Sequence, residues 1–296
     1  MLYLPQGIPA AESLRAEALP VSEYSLGNIV DQARCRVLVL NLMPQKAVTE
    51  LDLSRMAACS GIDVQLVFLK IKGQTYKTTP ASHMNAFYVD FEDVQNGTWD
   101  GLIVTGAPVE QMPFEQVRYW PQLCAIMDWA YASVKSTLYI CWGAQAGLYH
   151  FYGVEKRALP EKRFGIFTQR VTKSGLTLLN GLEPQFFMPN SRHTEVLKEE
   201  IEQKAGPKGA HVVAESEESG VGIVATDDQR LVFIVGHLEY EPFTLDKEYK
   251  RDLSRSLPIH APEHYYDTDG NVLFSWKTDA LRFYANYLTI ISTNPR

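Results

Sequence analysis

The sequence has no long apolar run, no excess of basic residues and no sign of a secretory leader. Its longest apolar stretches, such as 231–236, are the length of a strand, whereas a membrane-spanning helix needs about 20 apolar residues. Lys and Arg number 28 against 35 Asp and Glu, and the net charge of −7 argues against a nucleic-acid or anionic-membrane partner, because either would require a basic surface. The first twenty residues lack a basic start followed by an apolar block. The sequence therefore predicts a cytoplasmic protein whose partner is a small molecule.

Motifs for cofactors and metals are also absent. None of the four cysteines, Cys35, Cys59, Cys124 and Cys141, belongs to a C-x-x-C pair, which argues against a zinc or redox site. No G-x-G-x-x-G lies at a strand-to-helix turn, and the chain has neither a Walker lysine loop nor an H-E-x-x-H segment. We therefore expect no bound cofactor and no metal.

The composition is that of an ordinary globular protein. Apolar residues make up 46% of the chain and charged residues 21%, which excludes a disordered chain. With 296 residues, the chain is long enough for two domains or one large α/β unit. No repeat or linker divides it, so we interpret 36–296 as a single α/β domain and 1–35 as an N-terminal extension.

Strand-like and helix-like segments alternate along the first half of the chain. The predicted strands there are 36–43, 63–71, 100–106 and 137–140, and the predicted helices are 46–60, 80–94, 114–134 and 141–150. Further on, the predicted strands are 164–171, 211–215, 220–225 and 231–235, and the predicted helices are 244–256 and 275–291. The alternation predicts an α/β fold with a doubly wound, mostly parallel sheet flanked by helices, and the later strands predict an antiparallel extension in the C-terminal half.

A nucleophile stands at the end of a predicted strand. Cys141 follows 137–140 directly and precedes a glycine-containing helical segment, the pattern of the sharp turn that presents a catalytic nucleophile. A helix N-terminus favours a thiolate, and the backbone N–H of Trp142 would face an oxyanion on a bound carbonyl. The turn after the strand 100–106 offers Gly106 as a second backbone donor, or is merely a tight turn. A lone Cys here would otherwise be a small buried apolar residue.

A base and its partner follow another strand. His237 and Glu239 follow the apolar segment 231–235, with Gly236 between Val235 and His237. In an extended chain residues two apart share a face, so Glu239 would orient His237. An isolated H-x-E is more often structural, but combined with the turn at Cys141 it predicts a Cys141-His237-Glu239 triad.

Several segments in order resemble one enzyme family. They are Asn41-Leu-Met-Pro44, Thr105-Gly-Ala-Pro-Val-Glu110, Ile140-Cys-Trp-Gly-Ala-Gln-Ala146, Ser191-Arg-His-Thr-Glu195, Gly236-His-x-Glu-Tyr240 and Glu248-Tyr-x-Arg251-Asp252. They are similar to the homoserine O-acyltransferase (transsuccinylase) family. The resemblance implies a class I glutamine amidotransferase-like fold and transfer of an acyl group from coenzyme A, through a cysteine thioester, to an amino-acid hydroxyl in methionine biosynthesis. It makes Cys141 the acyl carrier, His237 the base and Glu239 its partner.

The resemblance also implies substrate-binding residues. Lys162, Ser191 and Arg251 match the family's positions for the amino-acid substrate, and a carboxylate substrate calls for a cation. Without the resemblance, Lys162 and Arg251 would be interpreted as solvated surface residues. Glu110 matches the position associated with the acyl donor, where glutamate accompanies acetyl users and glycine succinyl users. The other interpretation of Glu110 is that it caps a helix beginning near Pro113.

The resulting hypothesis is an O-acetyltransferase that uses acetyl-CoA as co-substrate and L-homoserine as acceptor. The alternative acceptor is L-serine, because the chain has Asn190 where the family usually has histidine, next to Ser191. An amidotransferase-like hydrolase and a non-catalytic binding module are less favoured, since all three triad residues are present and the chain has no nucleotide-binding segment. The oligomeric state, a homodimer included, stays open.

Overall fold

Twelve strands within residues 1–293, the part of the chain that the computed structural model describes, join in one mixed sheet. The strands are β1 (Leu2–Pro5), β2 (Val21–Tyr24), β3 (Cys35–Leu40), β4 (Val64–Lys70), β5 (Tyr88–Asp90), β6 (Gly101–Val104), β7 (Ser136–Ile140), β8 (Arg157–Val171), β9 (Gln185–Glu195), β10 (Ala210–Ser216), β11 (Gly220–Thr226) and β12 (Leu231–Ile234). Their order is β2-β1-β4-β3-β6-β7-β12-β11-β10-β8-β9, and β5 pairs with β4. Neighbours are parallel from β2 to β12 and antiparallel beyond it, so the predicted fold class is confirmed.

Helices cover both faces of the parallel part of the sheet. They are α1 (Pro9–Ala16), α2 (Lys46–Ala58), α3 (Ala81–Phe87), α4 (Phe91–Val94), α5 (Trp120–Ser133), α6 (Trp142–Tyr152), α7 (Lys198–Lys204), α8 (Thr244–Ser254) and α9 (Lys277–Thr293). In β3, Val37 and Val39 belong to the core that includes α1, α2 and α9, whereas Leu38 and Leu40 belong to the core that includes α5 and α6. Burial on both faces explains why these strands are continuously apolar in sequence.

Two predicted helices differ from the structure. The predicted helix 80–94 is divided into α3 and α4 by β5, because Tyr88 turns into the sheet and pairs with Phe68 of β4. The predicted helix 114–134 begins only at Trp120, and 114–116 is a short 3₁₀ turn. Pro121 stands in the first turn of α5, where its missing N–H costs no hydrogen bond, and this favours a helix start at that point.

The first 35 residues contribute to the same sheet. β1 pairs with β4 and β2 pairs with β1, both in parallel, and α1 packs its buried Ala11 and Leu14 into the core of that face. The segment that the sequence sets apart as an N-terminal extension therefore holds the edge strand β2 and its neighbour β1, which the sequence did not predict. No helix within residues 1–293 has the length and apolar character of a membrane span.

The topology brings several polar turns to one edge of the sheet. β3, β6, β7 and β12 are consecutive neighbours and parallel, so their carboxyl ends lie side by side. In open α/β sheets this is the edge where ligands bind. The residues that follow these four strands include Gly106, Cys141 and His237.

Candidate active site

Cys141 occupies a strained turn between β7 and α6. Its backbone φ of 53° lies in the left-handed region that non-glycine residues rarely adopt, and it serves as the N-cap of α6. A Cβ at Gly143 would lie 2.7 Å from the carbonyl oxygen of Thr105, and one at Gly147 would lie 2.7 Å from the Phe233 ring. The two glycines therefore allow the start of α6 to pack directly on the sheet, which is the nucleophile turn that the sequence predicts.

The His237 and Glu239 side chains form a buried pair. Nδ1 of His237 lies 2.6 Å from Oε1 of Glu239, and both residues are at most 5% exposed. The hydroxyl of Tyr284 donates to the other carboxylate oxygen at 3.4 Å, and the Tyr240 ring stacks on the imidazole with 4.0 Å between centroids. The backbone after β12 is a turn, so the expectation of an extended chain is wrong here. The turn, not strand alternation, brings the two side chains together.

The charges around His237 favour its protonated form. Burial alone would lower the pKa of His237, but the charges of Cys141 and Glu239 and hydrogen bonds to both side chains raise this pKa well above its usual value. The hydrogen bond to Glu239 uses Nδ1 and leaves Nε2 for Cys141. The arrangement therefore suits an imidazolium beside a thiolate, the activated state of a cysteine nucleophile.

Gly106 lies against the cysteine. A Cβ at Gly106 would lie 3.3 Å from Cβ and 3.8 Å from Sγ of Cys141, so a side chain at this position would crowd the cysteine. Trp142 is the first residue of α6, a position whose N–H has no acceptor within the helix. Gly106 and Trp142 therefore both lie next to Cys141, and the role of their N–H groups as oxyanion donors stays a prediction.

The three predicted acceptor-binding residues converge on one carboxylate. Nζ of Lys162 lies 2.8 Å from Oε1 of Glu248, and the Ser191 hydroxyl donates to Oε2 of Glu248 at 3.0 Å. Arg251 donates to the same Glu248 at 3.3 Å and to Asp252 at 2.7 Å. Lys162, Ser191 and Arg251 come from β8, β9 and α8, so the fold assembles a compact polar cluster from segments distant in sequence.

Glu248 and Asp252 are not among the site residues predicted from the sequence. Their signal is the spacing on α8, where Glu248, Arg251 and Asp252 follow the i, i+3, i+4 pattern that puts residues on one helix face. Charged residues at this spacing are common on solvated helices. Only the contacts of Glu248 and Asp252 with Lys162, and of Glu248 with Ser191, mark this face of α8 as part of the site.

Two cavities adjoin the cluster. One, of about 680 Å³, is lined by Glu110, Phe114, Tyr149, Lys156, Lys162 and His193 among others. The other, of about 720 Å³, is lined by Met43, Asp52, Arg55, Tyr240, Glu248 and Arg251 among others. Both volumes fall in the range of about 300–1,000 Å³ typical of small-molecule sites. Lys162 faces the first cavity and contacts Glu248, which faces the second.

Glu110 is fixed at the wall of the first cavity. Its Oε2 accepts a hydrogen bond from the backbone N–H of His193 at 2.9 Å, and its carbonyl accepts one from Lys156. The 3₁₀ turn that begins at Phe114 has no side-chain cap, so the alternative role of Glu110 as a helix cap is wrong. The N–H of His193 therefore holds the carboxylate of Glu110 against β9.

One group of side chains in residues 1–293 has the spacing of metal ligands. Glu218, Glu263 and His264 bring one ligand atom each within 4.8 Å of one another, and all three are exposed. None of them contacts the residues described above, and exposed acidic groups of this kind are common without a metal.

Comparison with known proteins shows the family and the fold. The family model for homoserine O-succinyltransferase matches residues 1–295. A homoserine O-acetyltransferase of Phocaeicola vulgatus is 45% identical over 97% of this chain and 94% of its own, and one of Parabacteroides distasonis is 46% identical over 97% and 93%. Among solved structures, a glutamine amidotransferase of Thermotoga maritima superposes with a TM-score of 0.54 at 14% identity, covering 88% of this chain and 99% of its own, which shows the fold alone.

Proposed function

Because this chain belongs to the homoserine O-succinyltransferase family, a family of acyltransferases, we propose that it transfers an acetyl group from acetyl-CoA to the side-chain hydroxyl of L-homoserine. The observation that carries the proposal is the buried Cys141-His237-Glu239 arrangement beside a cluster that contains Lys162 and Arg251. A cysteine nucleophile with one histidine base can form an acyl-enzyme in a first half-reaction and transfer the acyl group in a second. The side chains of Lys162 and Arg251 supply positive charge for the carboxylate of an amino-acid substrate.

In the first half-reaction, the Cys141 thiolate attacks the carbonyl carbon of the acetyl thioester. The negative charge that develops on the carbonyl oxygen is received by the N–H groups of Trp142 and Gly106. The tetrahedral intermediate then breaks its bond to the CoA sulfur, which leaves with the proton held by His237. The product is an acetyl thioester on Cys141 and free CoA.

In the second half-reaction, His237 has lost its proton and acts as a base. It takes the proton of the acceptor hydroxyl while the oxygen attacks the enzyme thioester, and the Cys141 thiolate leaves. Glu239 holds the imidazole by its Nδ1 throughout and stabilises the positive charge that forms on it. The O-acetyl amino acid is released, and the thiolate and imidazolium are restored.

The acceptor is held by the cluster around Glu248. Lys162 and Arg251 supply positive charge for the carboxylate of the amino acid, while Glu248 and Asp252 supply negative charge for its ammonium group. These ion pairs exist in the free protein, so the substrate exchanges one set of charge contacts for another.

An assay of the purified protein tests the function directly. With acetyl-CoA as donor, we expect O-acetylation of L-homoserine, with a kcat/KM at least about tenfold above that for L-serine, because one methylene is worth about 1–3 kcal/mol in a fitted site. Product formation is followed by mass spectrometry. Turnover with L-serine but not with L-homoserine would make L-serine the acceptor. Turnover with neither amino acid would contradict the proposal.

Replacement of Arg251 by alanine should weaken acceptor binding. We expect the KM for homoserine to rise about tenfold or more, with the KM for acetyl-CoA and the rate of enzyme acetylation nearly unchanged, because Arg251 contacts the acceptor cluster and not Cys141. Lys250→Ala is the matched control, because Lys250 lies on the same helix and its side chain is 71% exposed. Equal losses in both half-reactions would show that Arg251 serves the structure or the donor instead.

A further inference from the structure

The Tyr240 hydroxyl is a buried polar group without a hydrogen-bond partner in residues 1–293. Tyr240 follows Glu239 directly and is only 7% exposed. Trp276 donates to its backbone carbonyl, but no group in the described part of the chain hydrogen-bonds its phenolic oxygen. This oxygen is not among the unpartnered side-chain atoms that the protein seals from solvent, so it borders open space. Since a buried phenol ordinarily has a partner, this one is available to a ligand.

The Tyr240 ring is fixed beside the predicted base, His237. It stacks on the imidazole with 4.0 Å between the ring centroids and 11° between the two planes. The backbone carbonyl of Tyr240 accepts from Nε1 of Trp276 at 2.9 Å, which holds the main chain as well. A donor that is fixed before a ligand arrives loses little conformational freedom when it binds.

The open space at Tyr240 is the cavity of about 720 Å³ that Glu248 and Arg251 also line. Tyr240 therefore contacts His237 and borders the same cavity as the acceptor cluster. Burial and the negative charges of Glu248 and Glu239 raise the pKa of Tyr240 well above its usual value. The phenol keeps its proton at neutral pH and can donate a hydrogen bond into the cavity.

The other donors predicted for the acceptor already have a carboxylate partner. Lys162, Ser191 and Arg251 all donate to Glu248. A substrate carboxylate must compete with these contacts, whereas Tyr240 gives up no side-chain contact when its hydroxyl donates. A hydrogen bond to a carboxylate is roughly twice as strong as one between neutral groups. The carboxylate of the acceptor is therefore the group that this phenol suits best.

We propose that the Tyr240 hydroxyl binds the acceptor amino acid by donating a hydrogen bond to its carboxylate. The inference rests on the proposed function, because the acceptor is the amino acid of that reaction. The ring of Tyr240 holds the imidazole of His237, so one side chain contacts both the substrate and the base. Removal of the hydroxyl should weaken acceptor binding and leave the stacked ring, and with it the first half-reaction, intact.

Tyr240→Phe removes the hydroxyl and keeps the ring. We expect kcat/KM for L-homoserine to fall at least about tenfold, the effect of losing a hydrogen bond to a charged group. The rate at which acetyl-CoA acetylates the enzyme without acceptor, followed by intact-mass spectrometry, should stay within about twofold of the wild type. The matched control is Tyr249→Phe, which should change neither rate, because Tyr249 lies next to Glu248 on α8 but outside the described lining of the cavity.

Unreactive analogues identify the group that Tyr240 binds. L-2-aminobutyrate has the carboxylate and the ammonium group of homoserine and lacks its hydroxyl. Its competitive inhibition constant against homoserine should rise at least about tenfold in Tyr240→Phe. The rise should be much smaller for L-2-aminobutyramide, in which a neutral amide replaces the carboxylate.

An unchanged kcat/KM for homoserine in Tyr240→Phe would overturn the inference, while turnover by the wild type would still support the proposed function. An unchanged inhibition constant for L-2-aminobutyrate would also overturn it, because the phenol would then contact the reacting hydroxyl. Equal rises for the acid and the amide would assign the contact to the ammonium group and reject the carboxylate. An equal loss in the rate of enzyme acetylation would show that the hydroxyl acts through His237 and not on the acceptor.

Discussion

The Cys141→Ala variant should take up no acetyl group and lose at least about a thousandfold in kcat, because the acyl group has no other carrier in the proposed mechanism. Intact-mass spectrometry after mixing with acetyl-CoA alone is the measurement. The wild type should gain one acetyl group in the absence of acceptor and lose it when homoserine is added. This gain and loss is what distinguishes transfer through the enzyme from direct transfer between the two substrates.

The control for this experiment is Cys59→Ala. Cys59 is also a free cysteine and is exposed, but it lies at the end of α2, away from the α6 turn, and should be dispensable for the acetyl adduct and for turnover. A wild-type protein that turns over at full rate without ever carrying acetyl would contradict the thioester mechanism. Transfer would then have to occur directly between the substrates, with His237 as the base.

The parts of the site that follow from the sequence are those with local determinants. Cys141, Gly143 and Gly147 lie within seven residues, and each glycine is required by a close approach of the helix to the sheet. The His237 and Glu239 pair is also local, although a turn forms it and not an extended strand. Such sites can be predicted from a single sequence because residues close together in the chain fix their geometry.

The acceptor cluster has no such local pattern. Glu248 is 86 residues from Lys162 and 57 from Ser191, and nothing in a single sequence shows that these three side chains meet. The resemblance to a family indicated Lys162, Ser191 and Arg251, whereas the residues alone favoured solvated side chains. Only the packing of α8 against β8 and β9 shows Glu248 at the centre.

Strand β9 was missed because its buried positions after Pro189 are polar. Asn190 and Arg192 are each 1% exposed, and Pro189 stands between three apolar residues and this polar stretch. Strand prediction depends on apolar residues at inward positions, and a proline counts against a strand interior. The buried polar side chains are instead satisfied by one another and by backbone carbonyls, because Arg192 donates to Oδ1 of Asn190 and to the carbonyl of Thr194.

Replacement of Glu110 by glycine should change the preferred acyl donor. The carboxylate of Glu110 is fixed by the N–H of His193 at the wall of the cavity that also contains Lys162. A succinyl group would bring a second carboxylate against it, and like charges in a poorly solvated site cost several kcal/mol. Acetyl carries no charge, so we expect the wild type to prefer acetyl-CoA in kcat/KM.

In Glu110→Gly the ratio of kcat/KM for succinyl-CoA to that for acetyl-CoA should rise about 100-fold, equivalent to about 2.8 kcal/mol. The change removes the negative charge, opens space and frees the His193 N–H to donate to the incoming carboxylate. Glu110→Gln separates these effects, because it removes the charge, fills the space and can still accept from His193. If repulsion dominates, Glu110→Gln should gain most of the 100-fold, and if space and the freed donor dominate, it should gain little. A wild type that prefers succinyl-CoA, or a glycine variant without any relative gain, would place donor selection elsewhere in the cavity.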